Sequence, residues 1–240
     1  MTAMPITSRV GHIRLAEGGE LPFFLATPAG GSGPGLVLFQ EIFGLNEHIR
    51  HRAERLAGLG YVTLAPDLYW RLGQGMAVDE AGDGALERAF GLVSRLDMTL
   101  AVDDGRAALG HLRRLPGIRG GAGVFGYCLG GMVAYQVAAF DSPDIAVLYY
   151  PSGMHDRLDL VPQIGCPVLF EFGDADEYLP GDLPGRVSEL LGGRPDAEVR
   201  VQHGANHAFD NERSARFHDP RAAAAAWAQA RDFLARTFPS

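Results

Sequence analysis

The runs "LVLFQ", "YVTLAP", "GAGVFGY", "DIAVLYYP" and "PVLFEFG" are apolar along most of their length, and stretches with helical spacing or turn residues separate them. A strand without a polar face must be covered on both sides. Such strands alternating with helices imply an α/β fold, a mostly parallel central sheet with helices on both faces. The spacing predicts a helix over "NEHIRHRAERLAGLG", with Asn46 as its cap and Gly60 as its stop, and another over roughly 98–115. "LGGMVAYQVAAF" reads as a helix, and the alanine-rich "RAAAAAWAQARDFLARTF" as a closing packing helix. "HIRLAEG" and "LPFFLAT" flank Gly18-Gly19 as a hairpin, "AEVRVQH" is a further strand, and residues 70–84 are glycine-rich and irregular. No repeat, linker or shift in composition divides the chain, so one domain over residues 1–240 is expected.

Composition narrows the chemistry. With 240 residues, 47% of them hydrophobic, the chain can bury one large core. Its net charge of -8 repels phosphate backbones, so nucleic acid is not an expected partner. All 21 basic residues are arginine, which removes mechanisms built on a P-loop or Schiff-base lysine. Two cysteines, Cys128 and Cys166, are too few for a disulfide scaffold. The first residues lack the apolar core of a signal peptide, and no run is long enough to span a bilayer. A cytoplasmic protein without membrane attachment, monomeric or a small homo-oligomer, is expected. The histidines do not fall in a metal-ligand spacing, so neither a metal nor a cofactor is expected.

The chemistry centres on "GYCLGG", where a buried strand gives way to a helix at Cys128. A turn that projects one side chain from strand to helix packs its backbone tightly, and Gly126 and Gly130 remove the side chains that would collide there. The helix that follows aims its amino end at the sulfur and favours thiolate. In this architecture the acid and then the histidine come after the nucleophile, each beyond a later strand. "GDADEYLP" offers Asp174 and Asp176, and "GANHAF" offers His207. Asp176 is preferred because Asp174, directly after Gly173, reads as a turn former. His207 is preferred to His203, which ends a strand. His48 and His51 are expected on the exposed side of their helix.

Together, "QEIFGLN", "GYCLGG", "GDADEYLP" and "GANHAF" resemble the dienelactone hydrolases (carboxymethylenebutenolidases) of the α/β-hydrolase superfamily. The resemblance implies the α/β-hydrolase fold and a catalytic triad of Cys128, Asp176 and His207, with a small-molecule ester or lactone as substrate. It implies that Glu41 contacts the resting thiol and gates it, and that the backbone N–H groups of Ile42 and Leu129 form the oxyanion hole. The chain also departs from the family. Two arginines that bind a substrate carboxylate are replaced by Leu86 and Asn211, and a tyrosine by Phe90, with Arg88 and Arg213 near enough to compensate. A substrate other than the carboxylate-bearing dienelactone is therefore expected. The alternatives are a non-catalytic ligand-binding protein that keeps the pocket, and a redox protein, which would need Cys166 close to Cys128. Tyr69 and Trp70 read as either lid or core, and Cys166 as structural.

Overall fold

The computed structural model describes residues 6–240, so the start of the segment read as lacking a leader lies outside the described residues. Its strands are β1 (Thr7–Arg14), β2 (Glu20–Thr27), β3 (Gly33–Phe39), β4 (Val62–Pro66), β5 (Ile118–Tyr127), β6 (Ala146–Tyr149), β7 (Val168–Gly173) and β8 (Ala197–Gln202). They form one sheet in the order β1-β2-β4-β3-β5-β6-β7-β8. β2 runs antiparallel to β1 and β4, and every other pairing is parallel. Burial follows the sequence. β4, β6 and β7 are buried along their whole length, whereas β1 and β8, at the two edges, carry exposed arginines. Charge on an edge discourages pairing with another chain.

The helices are α1 (Glu47–Gly58), α2 (Ala85–Val93), α3 (Met98–Arg113), α4 (Leu129–Asp141), α5 (Leu183–Leu191) and α6 (Pro220–Thr237). Asn46 caps α1 by accepting from Ile49 N, and Asp97 and Asp219 cap α3 and α6 in the same way. α2 has no counterpart in the sequence reading: it is short, and its cap is Gly84 in a left-handed conformation without a side-chain bond. His48 corrects the expectation of an exposed pair. Its i,i+4 spacing to Arg52 puts both on the inward stripe of α1, where burial and then the charge of Arg52 lower the imidazole to about 3, while His51 is exposed.

This sheet order with its flanking helices is the α/β-hydrolase fold. Its parallel strands end on one edge, where Glu41 follows β3, Cys128 follows β5, Ser152 follows β6, Asp176 follows β7 and His207 follows β8.

One buried group yields a stability prediction. Glu171 on β7 is fully buried and accepts hydrogen bonds from Gln202 Nε2 at 2.9 Å and from the Gln229 amide at 3.0 Å. Burial pushes its carboxyl up from 4.5 to about 8, with the Gln202 bond opposing. The folded state thus holds a proton that the unfolded chain releases near 4.5, so stability falls as pH rises from there, and the loss is complete above about 8. Glu171→Gln is expected to raise Tm by several degrees at about pH 8.5 and by little at about pH 4.5. Thermal unfolding at the two pH values checks this.

Candidate active site

β5 ends at Tyr127 and α4 begins at Leu129, so Cys128 alone makes the turn between them. Its φ of +54° and ψ of -116° are a conformation that a side chain with a Cβ adopts only under constraint. The constraint is visible in the hydrogen bonds. Cys128 N donates to Tyr149 O at 3.0 Å, and Cys128 O accepts from both Met132 N and Ser152 N at 3.1 Å. A Cβ on Gly126 would strike the Gly130 carbonyl, and one on Gly130 would strike the carbonyls of Phe39 and Gln40. α4 is buried on every side from Leu129 to Ala138, which fixes its amino end, with free first-turn N–H groups, beneath the sulfur.

His207 Nε2 lies 3.1 Å from Cys128 Sγ, and its Nδ1 lies 2.7 Å from Asp176 Oδ2. The other oxygen of Asp176 accepts from Tyr178 N at 2.8 Å and Leu179 N at 3.2 Å, so the carboxylate cannot turn away. Burial alone would lower the His207 imidazole. The negative charge of Cys128, with the hydrogen bond and charge of Asp176, outweighs burial and pushes it up to about 10. A buried ion pair behind the loop steadies it: Arg52 Nη2 meets Asp210 Oδ2 at 2.9 Å and donates to the Asp210 carbonyl at 2.6 Å. The rejected candidates pair with each other outside the site, His203 Nδ1 lying 2.8 Å from Asp174 Oδ2. Cys166, buried before the start of β7, sits at the edge opposite Cys128, and burial pushes its thiol up to about 12. It is not placed to resolve a Cys128 disulfide.

Two residues of the site were missed from sequence. Ser152 Oγ lies 3.2 Å from Cys128 Sγ and 3.3 Å from His207 Nε2. Tyr150 Oη donates to Glu41 Oε1 at 3.3 Å. The signal was available, because "YPSGM" follows β6 on the same sheet edge as the other site residues. Glu41 is buried, and its second oxygen accepts from Asn211 Nδ2 at 2.5 Å. In this arrangement Tyr150 and Asn211 are the hydrogen-bond partners of Glu41, while those of the thiol are His207 and Ser152. Burial, reinforced by the charge of Glu80, pushes the Glu41 carboxyl up to about 7, against the pull of His207 and the Asn211 bond.

A cavity opens above the sulfur. Ile42 and Leu129 line it beside Cys128, and Leu86, Phe90 and Val93 of α2 form an apolar wall with Phe43 and Phe217. Leu86 and Phe90 thus line the cavity. Asn211 and Arg88 do not. Asn211 is fully buried behind Glu41, and Arg88 turns away to donate to the Asp83 carbonyl. Arg213 pairs with Glu47 at 2.6 Å, so neither arginine supplies a cation to the cavity. No residue from 71 to 84 lines it either. That stretch is pinned below the site by Val78 N donating to Phe43 O and Asn46 Nδ2 donating to Glu80. Tyr69 and Trp70 are support rather than lid, donating to Ile42 O at 2.8 Å and Asp104 at 2.7 Å.

An α/β-hydrolase sheet with a cysteine on the sharp turn after β5, a histidine beside it and an aspartate behind the histidine defines the class. The chain belongs to the dienelactone hydrolase family, whose model matches residues 21–238. It is 36% identical over 225 residues to a carboxymethylenebutenolidase of Pseudomonas putida, covering 93% of this chain and 94% of that one. Carboxymethylenebutenolidase 1 of Cupriavidus pinatubonensis is 34% identical, with 93% and 95% covered. Among solved structures, a candidate dienelactone hydrolase from Klebsiella pneumoniae superposes with a TM-score of 0.78 at 26% identity, over 96% of this chain and 99% of its own. Among the described residues no helix is long and apolar enough to cross a membrane.

Burial and the charge of Glu80 push the Glu41 carboxyl up to about 7, at the border of the cavity that holds the thiol. Above about pH 7 the cavity that holds the sulfur is bordered by its negative charge. Alkylation of Cys128 by iodoacetamide is therefore expected to show a break near that pH. Glu41→Gln is expected to remove the break and raise the rate on its alkaline side. A break that survives the substitution would assign it to another group.

Proposed function

We propose that the protein hydrolyses uncharged carboxylic esters or lactones through a thioester on Cys128. The observation that carries this reading is the hydrogen-bonded chain from Sγ through the His207 imidazole to Asp176, 3.1 Å and then 2.7 Å, at the floor of an apolar-walled cavity. Thiolate attacks the carbonyl carbon, His207 protonates the leaving alkoxide, and the same imidazole then deprotonates the water that cleaves the thioester. Asp176 holds the imidazole in the required tautomer. The N–H groups of Ile42 and Leu129 serve the tetrahedral oxyanion, and Glu41 tunes the reactivity of the thiol.

The wall chemistry selects the substrate. A bound carboxylate would meet Leu86 and Phe90 where the family resemblance implies an arginine and a tyrosine, with Glu41 adding negative charge whenever it is ionised. Each charge-assisted hydrogen bond forgone is about 1.5–3 kcal/mol, and about 1.4 kcal/mol is a decade of affinity. An uncharged acyl or alkyl group loses nothing against such a wall.

Cys128→Ala and His207→Ala are expected to abolish turnover, and Asp176→Asn to lower kcat by orders of magnitude. Neutral aryl esters and lactones are expected to have a higher kcat/KM than the carboxylate-bearing dienelactone, and Leu86→Arg to shift the preference towards the anion. Steady-state assays of the two substrate classes check both. Wild-type turnover in Cys128→Ala would end the mechanism, and a higher kcat/KM for the anion would end the substrate assignment.

A further inference from the structure

Ser152 stands where nothing in the mechanism above requires a hydroxyl. Its Oγ completes a triangle with Cys128 Sγ at 3.2 Å and His207 Nε2 at 3.3 Å, the third side, Sγ to Nε2, being 3.1 Å. The residue is sewn to the nucleophile turn by Ser152 N donating to Cys128 O at 3.1 Å. Close approach of α4 makes this attachment possible. A Cβ on Gly131 would lie 2.8 Å from Tyr149 O and 3.0 Å from the Pro151 Cα, so any larger residue would push the segment bearing Ser152 away. The hydroxyl also faces the cavity, where Ser152 is part of the lining.

We propose that Ser152 is a further catalytic residue, its hydroxyl donating to the Cys128 sulfur whenever that sulfur carries charge. The proposal rests on Cys128 being the nucleophile. A thiolate has no proton, so in that state the Ser152 O–H must be the donor of the pair. In acylation the sulfur lone pair forms the S–C bond and the carbonyl pair moves to oxygen. Collapse then expels the alkoxide, which takes the proton from His207 Nε2. In deacylation water adds to the same carbon as His207 takes its proton, and collapse breaks the C–S bond and returns the pair to sulfur. Charge therefore leaves sulfur in the first half and reappears in the second. A thioester sulfur is a weak acceptor, so the Ser152 bond is lost on acylation and regained as the thiolate departs.

The consequences for the two halves differ. Stabilising a thiolate raises its population and lowers its intrinsic nucleophilicity, so the effects on acylation partly cancel. In deacylation the thiolate is the leaving group, and a donor to it lowers the barrier directly. Loss of the hydroxyl slows the second half more than the first.

The test uses Ser152→Ala and Ser152→Thr with a neutral aryl ester and iodoacetamide as probes. In the alanine variant the pH midpoint of Cys128 alkylation is expected to rise by about one unit, the lower end of what one hydrogen bond to a charged group supplies. Intact mass during turnover is expected to show acyl-Cys128 accumulating well beyond the wild-type level. Threonine, which keeps the hydroxyl, is expected to return both readouts towards wild type. An alanine variant with wild-type midpoint and acyl occupancy overturns the proposal, and so does a threonine variant as impaired as alanine. Turnover retained in Cys128→Ala, with no acyl adduct in the wild type, would overturn the nucleophile assignment itself and the role of Ser152 with it.

Discussion

The strained backbone of Cys128 is the point from which the rest of the site is hung. A Cβ-bearing residue at φ +54° costs about 1–3 kcal/mol and persists only where its surroundings over-determine it. Here the amide and the carbonyl of the residue are both held, by Tyr149, Met132 and Ser152. The glycines at 126 and 130 let a buried helix press onto the ends of β3 and β5. The strain is offset by the apolar burial of α4, so the sulfur cannot relax out of the cavity without dislodging a core helix. Each partner then reaches the sulfur from the end of a different parallel strand. The sheet sets where each loop starts, and the hydrogen bonds and ion pair of the loops set the distances.

Charge in the site is managed by orientation more than by pairing. Asp176 spends one oxygen on two backbone amides and presents the other to His207, which fixes the imidazole before any substrate arrives. Glu41 accepts from two uncharged donors, Tyr150 and Asn211, while burial and the charge of Glu80, against the pull of His207, push its carboxyl up to about 7. Behind both, the buried Arg52–Asp210 pair anchors the loop that follows His207. Removing one partner of such a pair would leave an uncompensated buried charge, so the pair holds the loop in place together with its buried Phe209 and Phe217.

What was legible in the sequence follows from this layout. Cys128, Asp176 and His207 could be read because each is the chemically capable residue just past a buried strand, and chain order is a property of sequence. Asp176 could be separated from Asp174 by its place in the loop, and the two now differ as expected in what they face. Orientation was not legible. Position 211 lies near the site, yet a backbone turn through Asn211 N to Ala208 O directs its amide inward to Glu41 and not to the cavity. His48 was misread for a related reason: a polar residue on an inward helical stripe is visible only once the partner face is known. Ser152 is a small polar residue beside Pro151 and Gly153, which in sequence looks like ordinary turn chemistry.

The division of labour between elements explains how such a site can change substrate without losing its chemistry. Leu86, Phe90 and Val93 fall at i, i+4 and i+7 of α2, one face of a helix that contributes nothing to the nucleophile turn. Phe90 is 44% exposed, so it belongs to the mouth of the cavity more than to the core. Substitution at an exposed position typically changes stability by no more than about 0.5 kcal/mol. The same substitution can add or remove a charge at the substrate. Asn211 differs, because it is fully buried and its amide donates to Glu41, so a change there acts on the Glu41 carboxyl and not at the mouth of the cavity. Substitution on α2 therefore changes the cavity wall alone, while substitution at 211 also changes the hydrogen bonding of Glu41.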